Sequence, residues 1–257
     1  MDLHLANKIG IVTGASRGIG LAIAEALSAE GMSLTLAARS RESLEQLAAS
    51  LPTPSLVQVV DLREPRAPQA LVEATINRFG RLDLLVNNAG ATVRGDFLTL
   101  AEKDWQDGFD LKFFGAMRCC RAAWNHLRAA HGSIVNIVGI GGRTGSAEFA
   151  IGGAVNAALL NLTKVLADRG VTDGVRVNAV NPGSIVTDRL RGRIEKFASE
   201  HSLDSEAAAV ELARSMKVAR FGDAAEIANA VAFLASDASG YCQGTILDVD
   251  GGQTRTL

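Results

Sequence analysis

The chain has 257 residues, of which 47% are hydrophobic and 21% charged, so it is long enough for one α/β domain with a full-sized core. Its 26 basic and 28 acidic residues give a formal net charge of -2, which leaves no electrostatic footprint for nucleic acid or an anionic membrane. No continuous apolar run predicts a membrane helix, and the first residues lack the pattern of a secretory signal. Three cysteines and four scattered histidines predict neither a disulfide framework nor a metal site, so we expect a cytoplasmic protein without metal.

Short apolar runs alternate with longer amphipathic stretches, the pattern of a parallel sheet covered by helices on both faces. The predicted strands lie at 8–13, 33–38, 56–60, 82–86, 133–138, 175–180 and 245–249. The predicted helices lie at 18–29, 41–49, 69–79, about 104–129, 148–169 and 224–235. These elements predict a single doubly wound Rossmann-type α/β domain with a seven-stranded parallel sheet over residues 1–257.

The segment at about 185–220 interrupts this alternation. It is polar and charged, and its composition favours helix. An insertion after the carboxyl end of a strand lies over the ligand crevice of a doubly wound sheet, so we predict a substrate-side lid. A plain surface excursion is the alternative.

The first strand leads directly into a glycine-rich loop, T-G-A-S-R-G-I-G at 13–20, and then into a helix. Glycines permit the tight turn and let the backbone approach a pyrophosphate, while the helix N-terminus offers free N–H groups and a positive dipole end. A glycine loop alone is a weak signal. Its place after the first strand of an alternating α/β chain makes it a specific prediction of dinucleotide binding.

Five segments in order resemble the motifs of the short-chain dehydrogenase/reductase family over essentially the whole chain. They are the loop at 13–20, D-L at 61–62, N-N-A-G at 87–90, N-P-G with a threonine at 181–187, and D-G-G at 250–252. The resemblance implies hydride exchange between a nicotinamide cofactor and a small carbonyl or hydroxyl substrate. It also implies a homotetramer or homodimer, formed through the two long helices at 104–129 and 148–169.

The second strand ends in Ala38 and Arg39, where NAD-selective proteins place an acidic residue for the ribose 2′-hydroxyl. A guanidinium there suits a 2′-phosphate instead, and Arg17 in the glycine loop adds a second positive charge. We therefore predict NADP(H), although Arg39 as a solvated surface residue is the alternative. The predicted cofactor-binding residues are Gly14, Ser16, Arg17, Gly18, Ile19, Gly20, Arg39, Asp61, Leu62, Asn88, Ala89, Gly90, Pro182, Gly183 and Thr187.

The family's catalytic Asn, Ser, Tyr and Lys are all replaced when the motifs are aligned. Lys112 stands in the asparagine position, Gly139 in the serine position, Gly152 in the tyrosine position and Asn156 in the lysine position. The single tyrosine, Tyr241, matches a structural position of the family and is expected in the core. Because Lys and Asn are exchanged, we predict that Lys112 reaches the ribose side of the cleft while Asn156 bonds ribose hydroxyls; two unrelated changes are the alternative. The two glycines are expected to leave open space beside the nicotinamide.

Three charged residues near the cleft are further candidates. Arg143 and Arg94 are placed to hold a substrate carboxylate, and Glu148 to act as an acid if burial raises its pKa. Solvated loop charges are the plain alternative for all three.

These features favour an NADP(H)-dependent oxidoreductase of the short-chain type with a non-standard active site, in which Lys112, water or the substrate supplies the proton. A catalytically silent NADP(H)-binding protein, acting as a sensor or a partner subunit, remains the alternative. A cofactor-free lyase or dehalogenase on the same fold would be expected to keep Ser and Tyr and lose the glycine loop, which is the opposite pattern.

Overall fold

A computed structural model describes residues 2–255 of the chain. All seven predicted strands are confirmed, with ends shifted by no more than two residues. They are β1 (Ile9–Thr13), β2 (Ser33–Ala38), β3 (Ser55–Val59), β4 (Leu84–Asn87), β5 (Ser133–Ile137), β6 (Arg176–Pro182) and β7 (Ile246–Val249). They form one all-parallel sheet in the order β3-β2-β1-β4-β5-β6-β7, so the predicted single doubly wound α/β domain is confirmed.

Six predicted helical stretches are present, and the segment at 185–220 contributes two more helices. The helices are α1 (Gly18–Ala29), α2 (Arg41–Ser50), α3 (Ala67–Phe79), α4 (Glu102–Gly108), α5 (Gly115–Ala130), α6 (Ala150–Asp173), α7 (Asp188–His201), α8 (Ser205–Ser215) and α9 (Ala224–Ala235). Leu190 and Ile194 of α7 pack with Leu212 of α8 and with Phe221 in a small core of their own. The segment is thus helical, as its composition indicates.

The stretch at 104–129 was expected to be one regular helix, and it is not. A π-helical segment, Phe109–Phe114, lies between α4 and α5. The wider turn inserts an extra residue into the helical repeat, which changes the faces on which the following side chains lie. Apolar periodicity over the whole stretch does not reveal it because the regular turns on either side dominate the pattern.

The core lies on both faces of the sheet because neighbouring strand residues point to opposite sides. Val12 belongs to the cluster that packs Ile23 of α1 and Val231 of α9, whereas Ile11 belongs to the cluster that packs Leu71 of α3 and Leu127 of α5. The helical cover leaves the carboxyl ends of the strands as the edge where loops can form a site. The crevice is expected between β1 and β4, where the connections diverge.

One helical stretch, Ala147–Asp173, is long and apolar enough to cross a membrane by length and composition, with a mean hydropathy of 1.4. It is not a continuous apolar run, because Asn156, Asn161 and Lys164 interrupt it. The fold accounts for the apolarity, because Ile151, Val155 and Leu159 of α6 are buried inside the domain. Its Thr163 also accepts a hydrogen bond from buried Asn136 of β5, at 2.9 Å.

Candidate functional site

A cleft of about 1180 Å³ runs along the carboxyl edge of the sheet. Its walls come from the loops after β1, β2, β3, β4, β5 and β6 and from the start of α7. The residues of the predicted cofactor set all line this one cleft: Gly14, Ser16, Arg17, Gly18, Ile19, Gly20, Arg39, Asp61, Leu62, Asn88, Ala89, Gly90, Pro182, Gly183 and Thr187. Segments that are far apart in sequence are thus brought to one surface, although their role in binding stays a prediction.

The loop between β1 and α1 requires its glycines. Gly14 has φ +66° and a Cβ there would lie 2.9 Å from Nδ2 of Asn88, while a Cβ on Gly20 would overlap the carbonyl of Gly14. Gly18 has φ +57° and begins α1, whose first turn receives no side-chain cap. The loop therefore presents a close backbone surface and uncapped N–H groups to the cleft, the arrangement that suits a pyrophosphate.

Thr13 fixes the loop after β4 against the glycine loop. Its Oγ1 accepts hydrogen bonds from the backbone N–H groups of Asn88, at 2.9 Å, and Ala89, at 3.1 Å. The side-chain amide of Asn88 donates to the carbonyl of Thr13 at 3.0 Å. These bonds hold the two sides of the crevice at a fixed separation.

Two exposed arginines, Arg17 and Arg39, lie at the end of the cleft next to β2. Asp61 lines the same end, and its carboxylate forms an ion pair with the guanidinium of Arg63. The hydrogen bond from Arg63 holds the pKa of Asp61 below its usual value, and Arg39 acts in the same direction. This end of the cleft consequently offers positive charge to an anionic group.

Lys112 enters the cleft from the π-helical segment. Its stem passes over Gly90, where a Cβ would lie 2.9 Å from Cδ of the lysine. Its ammonium donates to the carbonyl of Val138 at 2.5 Å and to Oδ1 of Asn156 at 2.6 Å. Desolvation of the ammonium, with a smaller contribution from the positive charge of Arg189, lowers the pKa of Lys112 to about 7.

Asn156 is almost fully buried, with 2% of its surface exposed. Its Oδ1 accepts from Lys112, and its Nδ2 donates to the carbonyl of Gly139 at 3.3 Å. The N–H of Gly139 in turn donates to Oδ1 of Asn181 at 2.9 Å. The predicted proximity of Lys112 and Asn156 is therefore present, within a network that anchors the loop after β5.

The expected open space beside Gly139 and Gly152 is not there. A Cβ on Gly152 would overlap the ring of Phe149, which is one helical turn earlier, and a Cβ on Gly141 would lie 2.7 Å from the same ring. The guanidinium of Arg94 stacks on this ring, 4.2 Å from its centroid. Glycine at 152 therefore makes room for the aromatic ring of Phe149, which the motifs alone do not predict.

Other sequence expectations are corrected by the structure. Arg143 does not line the cleft, and its Nε lies 3.4 Å from a carboxylate oxygen of Asp248. Glu148 lines the cleft but is exposed, so it lacks the burial that an acid role requires. Tyr241, expected in the core, is fully exposed, with a relative exposure of 104%. Its loop follows Gly240 on the surface, where no apolar neighbour covers the ring among the described residues.

Phe149, Arg189 and Arg193 are among the cleft residues that the sequence analysis does not predict. Phe149 is detectable in retrospect because it precedes Gly152 by three residues, the spacing that places side chains on one helical face. The two arginines are four residues apart and follow Thr187 directly into α7. That spacing puts both guanidinium groups on the same side of the helix.

The family model described as enoyl-(acyl carrier protein) reductase matches residues 14–254 of the chain. The chain is 35% identical to the 3-oxoacyl-[acyl-carrier-protein] reductase of Escherichia coli K12 over 254 residues, covering 97% of this chain and 98% of that one. It is 32% identical to the meso-2,3-butanediol dehydrogenase of Serratia marcescens over 252 residues, covering 96% and 95%. The crystal structure of L-sorbose reductase from Gluconobacter frateurii, complexed with NADPH and L-sorbose, superposes with a TM-score of 0.95 at 32% identity over 100% of both chains.

Proposed function

This chain belongs to the short-chain dehydrogenase/reductase family, and we propose that it is an NADP(H)-dependent oxidoreductase acting on a carbonyl or hydroxyl group with a non-standard active site. The observation that carries the proposal is the convergence of the predicted cofactor residues on one cleft, with Lys112 at its wall. The solved relative with NADPH and L-sorbose supports the same class of reaction.

The residues at the cleft fit a dinucleotide. Gly14 and Gly20 leave no room for side chains, so the backbone of the loop lies open to the cleft. Thr187 approaches Gly18, where a Cβ would lie 3.4 Å from its Cγ2, so the β6 loop closes over the same place. In this proposal the loop and the first turn of α1 hold the pyrophosphate, and Pro182, Gly183 and Thr187 border the nicotinamide.

The preference for NADP(H) over NAD(H) rests on charge. The residue that follows β2 is Arg39, and the neighbouring Asp61 is already paired with Arg63 at the same end of the cleft. A 2′-phosphate gains charge-assisted hydrogen bonds from Arg39 and Arg17, whereas a 2′-hydroxyl gains none of comparable strength.

The bound cofactor supplies or accepts the hydride, and this chain must handle the proton. Lys112 is suited to that role because its pKa of about 7 allows both protonation states near neutral pH. In the direction of reduction, the ammonium gives one proton to the substrate oxygen as the hydride reaches the carbon, and the neutral amine is reprotonated from water. The hydrogen bonds to Val138 and Asn156 hold Nζ in place.

Asn156 is assigned as a positioning residue. Both atoms of its amide are engaged, and it is 2% exposed, so we favour a role in orienting Lys112 over direct bonding to ribose hydroxyls. Gly139 contributes its backbone carbonyl to this network, and Gly152 accommodates Phe149. Neither glycine supplies a side chain to the reaction.

Oxidation of NADPH, followed with a panel of neutral aldehydes and ketones together with oxo acids and a ketose phosphate, tests the proposal. We expect turnover by the native chain and a loss of at least about a hundredfold in Lys112→Met, the scale of general acid catalysis. Lys103→Met is the matched control because Lys103 is an exposed lysine of α4 outside the cleft. Equal turnover by native protein and Lys112→Met would contradict the assignment of the proton donor.

A catalytically silent NADP(H)-binding protein is the second candidate. The observation that favours it is the Phe149 ring, which fills the space beside Gly152 without offering an acidic group. Tight nucleotide binding without any hydride transfer across the panel would support this alternative.

The remaining sequence predictions complete the proposal. We propose that α7 and α8, within 185–220, form a substrate-side lid, because Thr187, Arg189 and Met216 line the cleft.

We also propose a homotetramer or homodimer in the cytoplasm. The exposed Val165 and Val171 of α6, at 56% and 73%, are consistent with an association surface on that helix.

A further inference from the structure

Three arginines converge at the end of the cleft that contains Lys112. Arg94 lies in the loop after β4, and Arg189 and Arg193 lie one turn apart on α7. The positive charges of these arginines lower the pKa values of neighbouring cations. Burial, followed by the positive charges of Arg193 and Arg189, lowers the pKa of Arg94, and Arg189 acts on Lys112 in the same direction.

The three guanidinium groups are not neutralised by the protein. Among residues 2–255, none of them has a carboxylate oxygen within 4.0 Å. Arg193 approaches only the sulfur of Met216, at 4.0 Å, and Arg94 stacks on the ring of Phe149. By contrast Arg191, on the same helix, pairs with Asp188 at 3.1 Å.

Two acidic residues face this part of the cleft, and they do not balance the charge. Asp188 is occupied by Arg191, and Glu148 acts on Arg94 electrostatically without forming an ion pair. Cations that repel one another at a cleft wall favour the binding of an anion, because its charge relieves the repulsion. Arginine adds geometry, since its planar fork matches the oxygens of a carboxylate or phosphate.

We propose that Arg189 and Arg193, with Arg94 opposite them, bind an anionic oxygen group of the substrate, a carboxylate or a phosphate, and so restrict the enzyme to anionic carbonyl compounds. This inference rests on the proposed function, since it assigns the substrate class of the same site. The stacking on Phe149 fixes Arg94, so part of the anion site is already formed before the substrate binds.

The test uses native protein saturated with NADP+, which carries no hydride to transfer, so ligand binding is measured apart from turnover. Nucleotide saturation is verified first by titration. The probes are 2-, 3- and 4-oxo acids with their methyl esters, and dihydroxyacetone phosphate with dihydroxyacetone. Ligand-observed NMR gives the affinity of each pair at constant ionic strength.

We expect the anionic member of at least one pair to bind about tenfold or more tightly than its neutral partner, the scale of one charge-assisted hydrogen bond. The preference should disappear in Arg189→Gln/Arg193→Gln and persist in Lys196→Gln, the matched control, because Lys196 is an exposed cation of the same helix that pairs with Glu200 outside the cleft. Preference for an oxo acid identifies a carboxylate site, and preference for dihydroxyacetone phosphate identifies a phosphate site.

Equal or absent binding of the anionic and neutral members across the whole panel overturns the inference. It is also overturned if the double variant weakens NADP+ itself by the same factor, because the arginines would then serve the cofactor. Failure of the proposed function is distinguishable: it appears as absent nucleotide binding in the first titration, or as absent turnover while the anion preference persists.

Discussion

The ammonium of Lys112 donates a 2.6 Å hydrogen bond to Oδ1 of Asn156, joining the π-helical segment to α6 across the cleft. The resemblance to the family predicts asparagine and lysine at these two positions in the opposite order. In this chain both side chains donate to carbonyls of the same turn, Lys112 to Val138 and Asn156 to Gly139. Under the proposed function, this arrangement keeps a lysine at the cleft wall and supplies it from the π-helical segment.

Lys112 makes stability depend on pH. Its pKa is lowered in the folded chain, so between about pH 7 and 10.5 the unfolded chain binds one more proton than the folded chain. The stability of native protein relative to Lys112→Met should rise with pH across that window, by at most about 1.4 kcal/mol per pH unit, and stay constant below it. Urea unfolding at several pH values measures the difference, with Lys103→Met as control. A pH-independent difference would show that the pKa of Lys112 is the same in both states.

The same group sets the pH dependence of reduction. If the ammonium of Lys112 provides the proton, kcat/KM for the reduction of a carbonyl substrate should fall as pH rises through about 7. Steady-state rates between pH 5.5 and 9 measure the profile. A rate that is flat across pH 7 would remove Lys112 from the proton transfer.

Gly152→Ala should destabilise the protein by about 1–3 kcal/mol, because the new methyl group overlaps the ring of Phe149. In the Phe149→Ala background the same substitution should become neutral or stabilising by up to about 1 kcal/mol, since alanine is the better helix former. Thermal or urea unfolding of the four proteins completes the double-mutant cycle. Gly192→Ala on α7 is the control, as its Cβ meets nothing within 4 Å. Equal effects of Gly152→Ala in both backgrounds would mean that the ring does not occupy this space.

Arg39→Gln should weaken NADPH about tenfold or more and leave NADH unchanged, because only the former carries the 2′-phosphate. Isothermal titration of both nucleotides measures the effect. Arg41→Gln is the matched control, since Arg41 pairs with Glu45 at the start of α2 and does not line the cleft. Equal loss for both nucleotides would instead place Arg39 near a group that they share.

The sheet could be predicted from the sequence because each buried strand is a short apolar run between polar turns, as at Ile9–Thr13 and Ser133–Ile137. The glycine loop could be predicted for a similar reason: close backbone approach leaves glycine as the residue that fits at Gly14 and Gly20. The order of the family motifs also predicted that these distant segments meet, and they line one cleft.

Side-chain packing within the site could not be predicted in this way. The sequence shows that Gly152 has no side chain, but it does not show that Phe149 turns into the vacated volume. Similarly, the sequence does not distinguish Arg189 and Arg193 from other exposed arginines of a helix. Only the fold shows that α7 lies near Arg94 at the cleft. The prediction that Tyr241 is buried was wrong, because it rested on the matching position of the family, whereas the loop of Tyr241 lies on the surface in this chain.

Parallel titration of the purified protein with NADPH and NADH, followed by nucleotide fluorescence, tests the central claim most directly. The account predicts saturable binding of NADPH, at least about tenfold tighter than that of NADH, because Arg39 and Arg17 meet the 2′-phosphate. Absence of binding by either nucleotide would contradict it, and the glycine cradle would then be a structural turn without a cofactor.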